Sequence, residues 1–215
     1  MSLQKQTDKE KLAWQKFVTR FSLTEKQEQE LLSYLSFLLQ ENKKFNITAI
    51  TDFEKIINDH LIDSLVLSEK MDLTACKTLV DVGTGGGLPA IPLKILYPHL
   101  AIVLIEVNQK KANFLEEVIT LLDLKDVEVC DQDWRSFLRG YDKTADVVIS
   151  RASLSVAELL RMFRSSMLKD SILVYWASKF WNATKQEAVY LQREEEYDVD
   201  QKSRRLVFFE GKKGA

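Results

Sequence analysis

Apolar positions recur at helical spacing through the first 70 residues and give way, from residue 78, to short apolar runs alternating with helical segments. Leu12, Trp14, Phe17, Val18 and Phe21 predict a helix over 8–21. Thr24, with Gln27 three residues on, is a capping-box signal for a second helix. Leu31, Leu32, Leu35, Leu38 and Leu39 then mark its apolar face, and a further helix is expected from His60 to Leu67. No glycine or proline falls in this stretch. Beyond it, strands are expected at 78–82, 101–106, 126–130, 145–149, 171–176, 194–200 and 204–209, and helices at 89–97, 108–123, 134–139, 155–166 and 181–191. This alternation predicts an α/β fold with a mostly parallel, doubly wound sheet. The short connection 201–203 makes the last two strands an antiparallel pair. The expected division is an N-terminal helical region, 1–70, packed with an α/β domain, 71–215, as one unit. The tail 211–215 is expected to fray.

Four of the seven glycines lie within five positions, Gly83, Gly85, Gly86 and Gly87, between the first strand and the helix that follows. Such a turn uses glycine for positive φ and for close approach of backbone to a ligand. The helix start offers free N–H groups. The register excludes a dinucleotide fingerprint, whose third glycine would fall at Leu88. The run reads instead Asp-x-Gly-x-Gly-x-Gly from Asp81 to Gly87, a spacing similar to that of S-adenosylmethionine-dependent methyltransferases. The strand 102–106 ends in Glu106, an acid placed to accept hydrogen bonds from a ribose diol.

Composition narrows the setting. The 215 residues, 46% of them hydrophobic, suit one globular unit. No apolar run approaches the roughly 18 to 20 residues of a membrane span, and residues 1–11 do not resemble a signal peptide. Cys76 and Cys130 match no disulfide framework or metal spacing, so buried free thiols, a cytoplasmic setting and no metal are expected. The net charge of −2 carries no global basic signature. A nucleic-acid partner would have to be met by a local patch.

The flanking motifs are more specific. The run Gly83-Thr84-Gly85-Gly86-Gly87-Leu88-Pro89-Ala90-Ile91-Pro92 resembles the V-G-T-G-x-G-L-P-G-I-P signature of a bacterial family. That family is the small-subunit ribosomal RNA guanine-N7 methyltransferase G, also called glucose-inhibited division protein B. Asn42 to Thr48 resembles its W-N-K-x-x-N-L-T, His60 to Ser64 its H-x-x-D-S, and Ser150-Arg151-Ala152 its S-R-A. Arg204-Arg205 sits where it carries a basic residue before a closing strand. The resemblance runs from about residue 25 to 210. There are three departures. Gly86 replaces the proline of Gly-Pro-Gly and implies a more flexible turn. Glu41 replaces a tryptophan. Ala177-Ser178-Lys179-Phe180-Trp181 replaces Leu-Lys-Gly, which shifts the lysine.

The resemblance implies a Rossmann-like seven-stranded methyltransferase sheet with one antiparallel strand. It also implies methylation of guanine N7 in the 530 loop of 16S ribosomal RNA, on free RNA or the assembling small subunit, by a monomer using S-adenosyl-L-methionine and yielding S-adenosyl-L-homocysteine. It assigns cofactor contacts to Asp81, Gly83, Gly85, Leu88, Glu106, Trp134, Arg135 and Arg151. Trp134 reads equally as a stacking partner for adenine or a core residue at a helix start. RNA contacts fall to Lys43, Lys44, Lys179, Arg204 and Arg205, with Arg161, Arg164 and Lys169 as further members of a patch, or to none of them if the charges are only solvated faces.

Guanine N7 bears a lone pair and no proton, so its attack on a sulfonium methyl needs no general base. That suits a chain with two histidines, His60 and His99, and no nucleophile–base constellation. Arg151, at the end of the fourth strand, and Asp63 are the catalytic candidates. Arg151 would position the guanine, a phosphate or the cofactor edge, or form a structural ion pair. Asp63 would face the cationic product, or cap a helix or bond His60 or Ser64. Two other readings stay open: a methyltransferase for a small molecule or protein, and a non-catalytic fold that binds RNA or assembling ribosomes.

Overall fold

The computed structural model describes residues 6–211. Ten α-helices and seven strands follow the expected order. Helix α1 spans Asp8–Arg20 and α2 Glu25–Asn42, each opened by a complete capping box, Thr7 with Glu10 and Thr24 with Gln27. Helix α3, Phe53–Ile56, runs into a π-helical segment, Ile57–Ile62, and on into α4, Asp63–Leu65, and α5, Leu67–Lys70. The α/β part then runs through β1 Thr78–Val82, α6 Ala90–Leu96, β2 Ala101–Ile105, α7 Gln109–Leu121, β3 Val127–Cys130, α8 Trp134–Gly140, β4 Val147–Arg151 and α9 Val156–Phe163. It closes with β5 Ile172–Ser178, α10 Lys185–Ala188, β6 Leu191–Val199 and β7 Lys202–Glu210.

The strands form one sheet in the order β3-β2-β1-β4-β5-β7-β6. Strands β1 to β5 pair in parallel, while β7 runs antiparallel to both β5 and β6. The order reverses between β1 and β4, so the carboxyl ends of these two strands bound the crevice where open α/β sheets bind ligands. The glycine run follows β1 and Arg151 ends β4.

Strand residues alternate between two cores because both faces are covered. Leu79, Ile102, Leu104, Val147 and Phe208 face one core, which also holds Trp14, Phe17, Leu31, Leu35 and Leu61. The N-terminal helices and the sheet therefore share one hydrophobic cluster. Val80, Ile105, Val148, Leu173 and Phe209 face the other, against Phe137 of α8 and Leu159 and Phe163 of α9.

The expected helix over 181–191 is one turn, Lys185–Ala188, and β6 starts at Leu191, three residues before the expected 194. Tertiary pairing overrides local propensity here. Arg193 to Val199 align with β7 across the hairpin, and an irregularity between Leu191 and Arg193 lengthens the ladder. The charged edge strand also discourages pairing with other chains. Gly211 is buried with its α-carbon against the Lys169 backbone. The rest of the tail read as frayed, 212–215, lies outside the described residues.

Candidate functional site

The turn after β1 is held by its neighbours. Gly83 and Thr84 donate their amides to the Ile105 carbonyl at 2.9 and 3.1 Å, continuing the β1–β2 ladder. The Gly85 amide donates to Glu106 Oε2 at 2.9 Å, and Glu106 Oε1 accepts from the Asn108 amide at 2.8 Å. Glu106 thus ties the turn to the loop after β2, and each oxygen keeps a lone pair for a further donor. Tyr34 of α2, fully buried, donates its hydroxyl to the Gly86 carbonyl at 2.6 Å.

Gly86, expected to make the turn more flexible, stands at a closely packed position. A Cβ there would lie 2.9 Å from Ile47 Cγ2 and 3.2 Å from Leu38 Cδ1, so glycine permits close packing. Tyr34→Phe should leave that carbonyl unsatisfied and cost about 1–3 kcal/mol. A denaturant midpoint unchanged in this variant would show that the bond contributes nothing.

Behind the turn, Asp81, next to last in β1, is fully buried, and neither carboxylate oxygen has a hydrogen-bond partner. Burial pushes its pKa up from 3.8 to about 7, and the Thr84 hydroxyl, Arg151 and the Ala90 amide pull it back without completing a hydrogen bond. The Thr84 hydroxyl is likewise buried and unpartnered. A cavity of about 290 Å³ opens over the turn, walled by Gly83, Gly85, Leu88, Ile47, Lys111 and Arg151 among others.

The motif from Asn42 to Thr48 explains one wall. Asn42 Oδ1 accepts from the Ile47 and Thr48 amides at 2.8 and 2.9 Å, and its Nδ2 donates to the Thr48 carbonyl at 2.9 Å. The chain leaving α2 is thereby knotted, with Ile47 against Gly86 and the Thr48 hydroxyl 2.8 Å from His60 Nε2. Burial, then the charge on Arg151, push the His60 pKa down to about 4, so the ring is neutral near pH 7.

The π-helical segment puts Asp59 and Asp63 toward the sheet's carboxyl edge. Asp63 is buried. Its Oδ2 accepts from Arg151 Nη1 at 2.8 Å, and its Oδ1 from Arg204 Nη1 and the Tyr197 hydroxyl, both at 2.7 Å. Its carbonyl accepts from Trp176 Nε1 at 2.7 Å. Asp59 Oδ1 accepts from Arg204 Nη2 at 2.7 Å, and its Oδ2 from Lys202 at 3.0 Å. Three cations thus face two carboxylates. The backbone just after Arg151 is constrained too. Ala152 has a φ of 56°, and Ser150 and Ser153 both donate to the Val82 carbonyl. Such left-handed non-glycine residues are costly and cluster at functional sites.

A second cavity, about 640 Å³, opens over this cluster between the ends of β4 and β5 and the β6–β7 turn. It and the first cavity share His60, Arg151 and Ala152 in their walls. Two compartments therefore meet at Arg151, one over the glycine turn and one over the ion cluster.

Gly83, Gly85, Leu88 and Arg151 line the first compartment, with Asp81 and Glu106 directly behind its turn. Trp134 is buried against Phe137, ring centroids 5.9 Å apart, in the core beneath α8. Of its two readings the ring takes the core one, and neither it nor the exposed Arg135 reaches the cavity walls. Asp63 neither caps a helix nor bonds His60 or Ser64. Both its oxygens are taken by cations and a phenol, Arg151, Arg204 and Tyr197.

Lys179 and Arg204 line the second compartment, but Arg204 is half-buried and ion-paired. Arg205 is turned to Glu194 and Glu196, and Lys44 to Glu41. Lys43 and Lys44 line neither compartment. Arg161 and Arg164 border a separate cavity between α9 and α10, so the expected single patch is divided. Asp59, Lys111, Trp176, Tyr197 and Lys202 were not anticipated. Asp59 alone had a signal: four residues before Asp63, it shares a helix face with it.

Known proteins extend these observations. The rRNA small subunit methyltransferase G family profile matches residues 27–210. The chain is 38% identical over 132 residues to the ribosomal RNA small subunit methyltransferase G of Mycoplasma capricolum, covering 61% of this chain and 56% of the relative. Its likeness to that of Onion yellows phytoplasma is 37% over 142 residues, 66% of this chain and 67% of the relative. For Neisseria meningitidis it is 36% over 156 residues, 73% of this chain and 72% of the relative. The chain thus spans between about half and three quarters of these curated relatives.

Among solved structures, a putative O-methyltransferase from Klebsiella pneumoniae superposes with a TM-score of 0.59 at 13% identity, over 82% of this chain and 90% of that one. A precorrin-6y C5,15-methyltransferase from Geobacter metallireducens does so with 0.57 at 15%, over 79% and 96%. These establish the methyltransferase fold alone. No helix among the described residues is long and apolar enough to cross a membrane. The family profile runs from the first turn of α2 to the end of β7 and takes in the glycine turn, the Asn42 knot, the Asp63–Arg151 pair and the closing hairpin, and on that extent the chain belongs to the rRNA small subunit methyltransferase G family.

Proposed function

We propose that this protein transfers the methyl group of S-adenosylmethionine to N7 of a guanine in 16S ribosomal RNA. The observation that carries this reading is the meeting of two compartments at Arg151 with no group there able to act as a general base. His60 is neutral but buried, and hydrogen-bonded to Thr48. Asp63 is neutralised by two arginines. An acceptor that must give up its proton before it attacks, such as a hydroxyl or a ring N–H, finds no free base in this arrangement. Guanine N7 needs none.

The cofactor fits the first compartment by its donor set. Asp81 and Thr84 are buried and lack partners, which suits a cationic amino group. Gly85 has free space where a Cβ would stand. Glu106 keeps lone pairs for a diol. When bound, S-adenosylmethionine supplies an electrophilic methyl on sulfur. The chain's task is then to hold acceptor and donor in line, a contribution of alignment. Arg151, fixed by Asp63 and by the Asp59 carbonyl at 3.4 Å, is the positioning group at the seam. A setting in the cytoplasm and the 530 loop as target follow from the same family reading. The test is mass mapping of small-subunit RNA after incubation with the protein and cofactor. One guanine should gain a methyl at N7. Transfer to an exocyclic amine, or none, would sink the proposal.

Asp81 gives this reading a pH signature. A carboxyl with a folded pKa near 7, above its ordinary 3.8, holds a proton in the folded apo-protein that the unfolded chain has released. Between about pH 4 and 7 the apo-protein therefore loses stability as pH rises. A cationic ligand group beside Asp81 favours its ionised form. Cofactor affinity should thus fall as pH drops through 7, by up to about tenfold per unit, and binding near pH 7 should release a proton. Calorimetry in buffers of different ionisation enthalpy reads that proton. Its absence, or its persistence in Asp81→Asn, would remove Asp81 from the cofactor site.

A further inference from the structure

The second compartment has a feature that neither its ion cluster nor the methyl transfer explains. Phe180, at its mouth, is 78% exposed, more than any other large apolar side chain among the described residues. The turn that presents it is anchored. The Trp181 amide donates to the Ser178 carbonyl at 3.0 Å, and Asn182 Nδ2 to the Phe180 carbonyl at 3.1 Å. Trp181 points the other way, edge-on to Phe209 at 6.0 Å, and its carbonyl accepts from Arg205 at 3.3 Å. Of two adjacent aromatics, one packs partly buried against the core and the other is held out to solvent beside a cavity. The Lys179 ammonium lies 4.9 Å from the centre of the Phe180 ring.

We infer that Phe180 is a stacking platform for an unpaired nucleobase that flanks the target guanine, with Lys179 meeting the adjoining phosphate. This rests on the reading of the chain as a ribosomal RNA methyltransferase and names how that site takes its substrate. An exposed aromatic face beside an exposed cation is the arrangement by which proteins hold single-stranded RNA, because every base has a face to stack. The compartment's other cations, Arg151, Arg204 and Lys202, outnumber its carboxylates and favour an anionic strand.

A flanking base is the better occupant than the target. Guanine becomes cationic as it is methylated, whereas one face of Phe180 already carries a cation. Phe180 stands at the mouth, whereas Asp63 and Trp176 form the buried part of the compartment.

The experiment compares the full-length protein with Phe180→Ala, Phe180→Leu and Phe180→Trp. The side chain is exposed, so each variant should fold and bind S-adenosylmethionine with unchanged affinity. In methyl transfer to small-subunit RNA, Phe180→Ala should raise KM for RNA by roughly five- to a hundred-fold, with kcat within about twofold. Phe180→Leu should recover little of this and Phe180→Trp most of it. A second arm uses oligouridylate and an RNA duplex of equal length, read by fluorescence anisotropy. The alanine variant should lose affinity for the single strand only.

Equal KM in the wild type and Phe180→Ala overturns the inference. So does full recovery by leucine, or equal losses on single strand and duplex. A fall in kcat with KM unchanged overturns it in favour of contact with the target guanine. If the wild-type protein methylates no ribosomal guanine, the functional reading fails, and the anisotropy arm still decides the stacking role.

Discussion

Replacing Gly85 by valine is expected to abolish binding of S-adenosylmethionine while leaving the fold in place. Gly85 has a φ of 62°, and a Cβ built on it meets no atom within 4 Å. The new side chain therefore projects into the first compartment, where only a ligand would collide with it. The left-handed backbone costs a non-glycine residue about 1–2 kcal/mol, which a domain with roughly 5–15 kcal/mol of stability survives. Affinity should fall by more than about a hundredfold, a loss of roughly 2.7 kcal/mol or more.

Gly83 would be the wrong position for this test. A Cβ there lies 2.2 Å from Ser153 Cβ, so substitution disturbs the β4 end itself and confounds folding with binding. Calorimetry and thermal unfolding on Gly85→Val decide the matter. Undiminished binding in a folded variant would withdraw the cofactor assignment. A variant that fails to fold would contradict the open space at Gly85.

The same contrast shows what could be read from the chain. Periodicity located the strands because each side chain on a two-faced sheet enters one of two cores, and Leu79 and Val80 do so in turn. The start of α2 was legible through its capping pair, Thr24 with Gln27, which is local. The glycine turn was legible because positive φ restricts residue choice. The ion cluster was not, because its members come together only through tertiary structure: Asp63 meets Tyr197 and Arg204 from 134 and more positions away. Asp59 could have been found by its spacing to Asp63, but the π-helical segment that aims both has no signature in composition. The packing at Gly86 was not legible for a related reason. Its constraint comes from Leu38 and Ile47 packing on it, and a glycine run in isolation suggests flexibility. The partners of the basic residues were not legible, since a lysine or arginine in sequence says nothing of what it pairs with. Arg205 and Lys44 are matched to glutamates close by in the chain or across a hairpin.

Arg151→Ala should lower the rate of methyl transfer by about a hundredfold or more, with His60→Gln changing it only a few-fold. The argument separates positioning from proton transfer. Arg151 stands where the two compartments meet, and displacement of about 1 Å at a reacting centre can cost a factor of a hundred. Its removal leaves Asp63 with Arg204 and Tyr197 still in place, so the carboxylate is not orphaned and the fold should persist. Asp63→Ala is the harsher change. It takes from Arg151 the carboxylate it pairs with, leaves Arg204 with Asp59 alone and should destabilise by up to about 3–5 kcal/mol, so it reports on stability before it reports on rate.

His60 has a pKa of about 4 and stays neutral through the working range, so kcat at saturating cofactor should be flat from about pH 6 to 8. Saturation matters, because protonation of Asp81 weakens cofactor binding in the same window and would imitate a catalytic ionisation. A loss of kcat below pH 7 that survives saturation and disappears in His60→Gln would show that a base is required. The acceptor would then be an atom that carries a proton, and guanine N7 would no longer fit the site.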